Sequence, residues 1–106
     1  MRYMFMVYDA EGGMATMSQE EMMARGNMLF ADLLHPTATA TTVRVREGKR
    51  LMTDGPFAET KEQLGGVYVF ECKDLDEAIE IAAKIPTART GSIEIRPVFT
   101  GEEMSS

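Results

Sequence analysis

Two runs of the sequence are apolar on both of their alternating faces, and they constrain the fold more than any other feature. They are YMFMVY at residues 3–8 and VYVFEC at residues 67–72. Successive side chains of a β-strand point to opposite sides of the sheet, so such a strand needs cover on both sides. We therefore expect both runs to be central strands of a sheet whose two faces are packed against something.

Two segments have the form of a helix N-terminus. They are SQEE at residues 18–21 and DLDE at residues 74–77. In each, the first side chain can accept a hydrogen bond from the backbone three residues on, and the glutamate can reach back. The first helix is predicted to be short, because Gly26 and Asn27 follow within about two turns. The second helix is predicted to end at Pro86.

Strand patterns account for most of the remaining chain. Residues 28–34 are predicted to be a strand, and residues 41–46 (TTVRVR), the turn EGK and residues 50–52 a hairpin. Residues 92–98 alternate isoleucines with charged side chains, and Pro97 lacks a backbone donor, which suits an edge strand or the end of a strand. No residue pattern extends into the tail, so residues 99–106 are predicted to be frayed.

In chain order these elements predict one α+β domain over residues 1–106 with a ferredoxin-like, split β-α-β arrangement. Its antiparallel sheet would carry the helices on one face, with an added hairpin between two strands. The other face of the sheet would then be bare. We expect a second subunit to cover it, which gives a homodimer through the sheet faces.

Charge and cysteine usage exclude several function classes. The formal net charge is −6, which leaves no footprint for nucleic acid or for an anionic membrane. The single cysteine, Cys72, cannot form an internal disulfide and is predicted to be a core thiol. The first apolar run is too short for a signal or membrane segment, so we expect a cytoplasmic protein.

The connection between the predicted hairpin and the second central strand, MTDGPFAETKEQLGG at residues 52–66, is the first candidate for function. An aspartate at a turn usually accepts from the N–H two residues on, but for Asp54 that residue is Pro56, which has none. Its carboxylate needs another donor, such as the Phe57 amide, a basic side chain or a ligand. Asp54 is thus either a loop anchor or a catalytic base.

Charged side chains follow in the same connection. Glu59 and Lys61 suit a helical turn with Phe57 and Leu64 facing inward, and they form either a solvated face or part of a ligand site. Lys61 can pair with Asp54 or neutralise an acidic ligand.

His35 is the only histidine, at the end of a strand before Pro36. It is either a surface residue or the partner of a carboxylate in acid–base chemistry, since imidazole titrates near neutral pH. The common His/Cys metal sites, phosphate-binding loops and nucleophile motifs are absent from the sequence, so we expect no metal and no cofactor.

The motif DGPFAETKEQLGG, with TATATTVRVREGKRLMT before it and DLDEAIEIAAKIP and GSIEIRPV after it, closely resembles the DGPF proteins of the YCII-related domain family. The resemblance runs over residues 36–98 and the opening MRYMFMVY. It implies a ferredoxin-like fold of the dimeric α/β-barrel type. It also implies, for some members, association with extracytoplasmic-function sigma factors, and for one relative, action on a chlorinated hydroxyquinol-type aromatic.

A His and Asp pair is the suggested catalytic pair of the broader family, and the motif's aspartate falls on Asp54. This sequence departs from the family in two ways. It has no histidine in the first helical region, so His35 is not equated with the family's histidine, and its first helix is shorter.

Two hypotheses of function follow. The first is binding of a small organic molecule near the DGPF segment with cofactor-free, lyase- or isomerase-like acid–base chemistry. Asp54 would then be the base, with His35 as its catalytic partner and Arg44, Phe57, Glu59 and Lys61 as binding residues. The second is a non-catalytic dimeric binding or regulatory module, linked to a sigma factor by the resemblance alone.

Overall fold

The computed structural model describes residues 1–10, 27–58 and 60–99. Its elements follow the chain as β1 (Arg2–Asp9), β2 (Met28–Leu33), a 3-10 turn (Thr37–Thr39), β3 (Thr41–Arg46), β4 (Lys49–Asp54), β5 (Gln63–Glu71), α1 (Leu75–Lys84), α2 (Thr87–Thr90) and β6 (Ser92–Pro97). The helix predicted over residues 18–26 lies outside the described residues, as does the tail from residue 100. The short α2 after Pro86 was not predicted.

Four strands form one sheet in the order β2-β5-β1-β6, with every neighbouring pair antiparallel. The two runs predicted to be central are β1 and β5, which do lie in the middle, and the proline-containing β6 is an edge strand as predicted. This mixed α+β arrangement of antiparallel sheets and few helices is compatible with the ferredoxin-like prediction.

One side of the sheet forms the core. Tyr3, Phe5 and Val7 of β1 alternate onto this side and are buried, and the rings of Phe5 and Phe70 lie 4.9 Å apart in a tilted contact. Apolar residues of α1 and the turn after it complete the cluster, namely Ala78, Ile81, Ala82 and Ile85. Burial of each of the large side chains contributes about 2 kcal/mol or more. This packing fixes the helix on that side of the sheet.

Side-chain capping explains where α1 begins. The carboxylate of Asp74 accepts a hydrogen bond from the backbone N–H of Glu77 at 2.9 Å, as the sequence predicts. The carboxylate of Glu77 reaches back to the N–H of Lys73 at 3.3 Å. These bonds satisfy donors that the first turn of a helix otherwise leaves unpaired.

The opposite side of the sheet, the open face, is apolar but incompletely covered. It carries Met4 and Met6 of β1, Val67 and Val69 of β5, and Phe30 of β2. The first four are half-buried and Phe30 is exposed; in the described part of the chain, none of the fully buried core side chains lies on this side. Both faces of the central strands are therefore apolar, but only one is packed by the residues that the structure describes.

The β3–β4 hairpin forms a second, two-stranded sheet. Its turn is Glu47-Gly48, both with positive φ (53° and 76°), the combination whose twist suits a two-residue hairpin loop. The hairpin prediction is confirmed, although β4 continues to Asp54. Among the described residues its strands have extensive contacts only with each other, so the hairpin stands apart from the core.

The connection after the hairpin is shorter than the sequence suggests, because β4 ends at Asp54 and β5 already begins at Gln63. The predicted helical turn is wrong for its described residues, which form bends. Phe57, expected to face inward, is 78% exposed, whereas Leu64 lies in β5 and is half-buried. The end of this connection is extended rather than helical, because Gln63 and Leu64 pair with Asp9 and Tyr8 of β1.

No helix in the described ranges has the length and apolar character needed to cross a membrane. Cys72 is buried in the core, which confirms the predicted core thiol. Burial raises the pKa of the Cys72 thiol, and the nearby Glu77 carboxylate raises it further. Since the thiolate is the reactive form, this thiol is held in its unreactive state.

The end of β1 is held by Thr90, the last residue of α2, and by Gly91, the residue after it. The hydroxyl of Thr90 donates to the buried carboxylate of Asp9 at 2.9 Å. At the next residue, Gly91, a Cβ would lie 2.1 Å from the carbonyl oxygen of Tyr8, closer than atoms can approach. Only glycine allows β6 to begin this close to β1.

We expect Cys72 in the native protein to react with a water-soluble disulfide reagent at pH 8 at least about a hundred times more slowly than in urea-unfolded protein. The thiol has a higher pKa in the folded protein than in the unfolded protein. Its contribution to the free energy of unfolding is therefore fully present at a pH below the unfolded-state pKa. That contribution is lost as the pH rises through the folded-state pKa. Absorbance of the released thiol measures the rates. Equal rates in the native and unfolded protein would contradict the buried position.

We expect Gly91→Ala to lower the free energy of unfolding by about 2 kcal/mol or more, because the backbones of β1 and β6 must separate. Gly48→Ala is the comparison: it has a positive φ but open space around its Cβ, so about 1 kcal/mol is expected. Urea denaturation followed by circular dichroism measures both. A cost for Gly91→Ala no larger than that for Gly48→Ala would refute the close approach.

Candidate functional site

Two adjoining cavities lie at the end of the sheet where β1 ends and β5 begins. The larger has a volume of about 560 Å³ and is lined by Tyr8, residues 34–37 and 39–42, residues 56–58, Thr60, Gln63 and Leu64. Tyr8 and Leu64 pair across β1 and β5, next to the open face. The smaller cavity, of about 490 Å³, is lined by Asp54 among others.

Backbone hydrogen bonds hold the segment after β2 as one wall of the larger cavity. The N–H of Leu34 donates to the carbonyl of Gly65 at 2.9 Å, which ties the end of β2 to β5. The 3-10 turn is closed by the N–H of Ala40 donating to the carbonyl of Thr37 at 3.0 Å. His35 and Pro36 lie between these two points, so both are held at the rim.

The DGPF turn, residues 54–57, is anchored to the same wall through Gly55. The N–H of Gly55 donates to the carbonyl of Ala40 at 2.7 Å, and its carbonyl accepts from the hydroxyl of Thr42 at 2.8 Å. Gly55 has a φ of 99°, a backbone conformation that residues other than glycine rarely adopt. The glycine of the motif is therefore required by the backbone geometry that joins the hairpin base to the cavity.

Side-chain bonds hold the far end of the connection. The amide of Gln63 donates to the carbonyl of Thr60, and the hydroxyl of Thr60 donates to the carbonyl of Glu62. The carboxylate of Glu62 in turn accepts from the hydroxyl of Ser92 at 2.8 Å, which links the connection to β6. These contacts give the cavity an ordered floor.

The larger cavity is apolar with a few neutral polar groups. None of its described lining residues is Asp, Glu, Lys or Arg; its polar groups are threonine hydroxyls, the phenol of Tyr8, the amide of Gln63 and the imidazole of His35. Such a lining favours an uncharged ligand, because a buried charge without a partner is costly.

Asp54 faces the smaller cavity and is exposed. Within the described part of the chain its carboxylate has no hydrogen bond and no ion pair, so neither the Phe57 amide nor Lys61 is the donor that the sequence suggests. The two cavities share Thr37, Pro56 and Gln63 as lining residues. Asp54 and His35 thus lie at adjoining cavities.

The remaining candidates are dispersed. Phe57 lines the larger cavity, but Arg44, on β3, and Lys61 line neither cavity. Both are exposed. Glu59 lies outside the described residues. No group of three or more His, Cys, Asp or Glu side chains in the described ranges is placed to share a metal ion.

Sequence reasoning missed most of the residues that line the cavities, Tyr8 and Gln63 among them. Tyr8 was assigned only to a strand, and Gln63, which lines both cavities, only to a connection. The available signal was position: Tyr8 is the last residue but one of β1 and lies on the side opposite Phe5, beside the open face. Gln63 could not be placed without knowing that β5 begins there.

Comparison with known proteins finds a relative that matches over part of its length. An uncharacterised protein of Rhizobium meliloti (strain 1021) is 49% identical over 67 residues, which make up 61% of this chain and 54% of that protein. The chain therefore spans about half the length of the curated relative it matches. The model of the YCII-related domain matches residues 1–102, which confirms the resemblance at the level of the family. This chain therefore belongs to the YCII-related domain family.

Proposed function

We propose that this protein binds a small, uncharged and largely apolar organic molecule in the larger cavity. The observation that carries the proposal is the cavity itself: its volume of about 560 Å³ lies within the range typical of ligand pockets, roughly 300–1,000 Å³. Pro36, Pro56 and Phe57 supply apolar contact. His35, Gln63 and the threonine hydroxyls supply a few directed hydrogen bonds that would orient the ligand.

Cofactor-free acid–base chemistry is the reaction class that these side chains support. His35, on the wall of the larger cavity, would exchange a proton with the bound molecule. Asp54 would act as base on a ligand that extends past Pro56 and Thr37 into the smaller cavity. The DGPF motif would then serve both as anchor, through Gly55, and as the source of a free carboxylate.

A second candidate function, a non-catalytic dimeric binding or regulatory module, is favoured by one observation. His35 and Asp54 line different cavities and have no hydrogen bond to each other, so they form no preassembled acid–base pair. In this reading the DGPF turn is architectural. Partnership with an extracytoplasmic-function sigma factor is one form of this role, and direct complex formation with purified components would test it.

A homodimer is part of both proposals. The open face presents Met4, Met6, Val67, Val69 and Phe30, and the other side of the central strands β1 and β5 is buried. Contiguous apolar surface of this kind marks an interaction site, and self-association with twofold symmetry is its commonest use. A second copy would cover this face.

We expect native mass spectrometry of protein purified gently from its host to detect a bound small molecule, which Phe57→Ala and Thr42→Val lose at least in large part. His35→Asn and Asp54→Asn are expected to retain the molecule and slow its turnover about a hundredfold or more, as for loss of an acid–base group.

Glu80→Gln, an exposed helix residue away from both cavities, is the matched control. An empty wild-type protein, together with an Asp54→Asn variant that loses only thermal stability, would favour the architectural role and overturn the catalytic one.

We expect the wild-type protein to be a dimer at micromolar concentration, and Met6→Lys to weaken that dimer at least about tenfold by placing a charge in an apolar interface. Sedimentation velocity over a concentration series measures the dissociation constant, with Glu80→Gln again as control. A wild-type monomer at about 100 μM, the weak end of specific association, would remove the dimer from the proposal.

A further inference from the structure

The β3–β4 hairpin has an apolar side that nothing in the described chain covers. Val43 pairs with Met52 on this side, and Val45 pairs with Arg50. Val43, Val45 and Met52 are 56%, 61% and 65% exposed. A lone two-stranded hairpin is marginally stable in water, so this side needs a surface to pack against.

The charges of the hairpin indicate what kind of partner surface would cover its apolar side. The hairpin carries four of the 11 basic residues in a chain of net charge −6. Arg50 lies on the apolar side, opposite Val45, whereas Arg44, Arg46 and Lys49 lie on the other side. A nucleic acid or an anionic membrane would attract these cations but be repelled by the acidic remainder of the chain. A second copy of the chain instead offers apolar surface and carboxylates together.

The open face has a matching pattern. One row across its four strands runs Asp32, Val67, Met6, Glu94, in the order β2-β5-β1-β6. The row is apolar in the middle and acidic at both edges, and Asp32 and Glu94 are exposed. The apolar side of the hairpin complements this row with three apolar side chains and one cation, Arg50.

We propose that the hairpin of one copy packs its Val43, Val45 and Met52 side onto the open face of a second copy, and that the second hairpin does the same in return. Arg50 then lies near the carboxylates of Asp32 or Glu94. This inference rests on the proposed homodimer and names the element that forms it. The exchange is reciprocal, as twofold symmetry requires.

The docked hairpin also completes the candidate site. Thr41 and Thr42 at the base of the hairpin line the larger cavity, and Thr42 holds Gly55 of the DGPF turn. A hairpin seated on the partner fixes this wall. The ligand cavity of each copy is therefore ordered by contact with the other.

The test compares dimer dissociation constants by sedimentation. We expect Val43→Lys combined with Met52→Lys to weaken the dimer at least about a hundredfold, because two apolar contacts are replaced by charges. Thr53→Lys is the matched control, since Thr53 is the neighbour of Met52 on the opposite side of the same strand. It is expected to change the constant less than about threefold.

A charge-reversal cycle supplies a second readout that does not disturb the apolar contacts. Arg50→Glu is expected to weaken the dimer about tenfold, and adding Asp32→Lys or Glu94→Lys in the same chain to restore it, more strongly at low salt. If circular dichroism shows that the Val43 and Met52 variant does not fold, the charge-reversal cycle alone tests the docked hairpin.

The outcomes separate the two proposals. Hairpin variants that remain dimeric, with no rescue in the charge cycle, while Met6→Lys is monomeric would overturn the docked hairpin and leave the dimer standing. A wild-type monomer would overturn both. Binding of wild-type monomer to anionic vesicles or to RNA, lost in the Val43 and Met52 variant, would assign the hairpin to a different partner and also overturn the inference.

Discussion

The structure depends on an imbalance between the two faces of one sheet. The central strands β1 and β5 are apolar on both sides, but the helix α1 and the buried cluster around Phe5 and Phe70 occupy only one of them. Because apolar surface in water is unfavourable, the uncovered side dictates how the chain can associate. In the described part of the chain, the open face results from this asymmetry, and the proposed dimer is argued from it.

The candidate site follows from how the sheet ends. At the end of β1, Thr90 donates a hydrogen bond to the last strand residue, and Gly91 lies close to the backbone. The first residues of β5, Gln63 and Leu64, pair with the same end of β1. The chain after β2 and the DGPF turn are then drawn to this end by bonds through Gly55, Ala40 and Thr42. The cavity is thus built mainly by backbone geometry. None of the bonds that hold its walls involves the side chains of Phe57, His35 or Asp54.

This division bears on mechanism. A residue that satisfies a buried partner is needed for folding, and its substitution cannot distinguish a catalytic role from a structural one. Asp54 has no hydrogen bond or ion pair in the described residues and is exposed, so its removal leaves no partner unsatisfied. Gly55, in contrast, is a structural residue of the same motif, so the anchoring residue and the proposed catalytic residue are adjacent but distinct positions.

Much of this organisation could be predicted from local pattern. Alternation identified β1, β5 and β6, the Asp74 and Glu77 pair identified the start of α1, and the turn after Arg46 identified the hairpin, since each signal lies within a few residues of chain. The inward position of Phe57 and the extent of the connection were wrong. Both depend on where Gln63 and Leu64 find partners in β1, which is a contact between residues far apart in sequence.

The sequence by itself therefore determined the strands and the start of α1, which strands are central, and that Asp54 lacks its usual partner because Pro56 has no N–H. Only the tertiary structure decided that His35 and Asp54 lie at adjoining cavities, that Tyr8 and Gln63 line them, and that the hairpin stands clear of the core. The physical reason is range: propensity, capping and alternation act between neighbours in the chain, whereas cavities and docking surfaces form where distant segments meet.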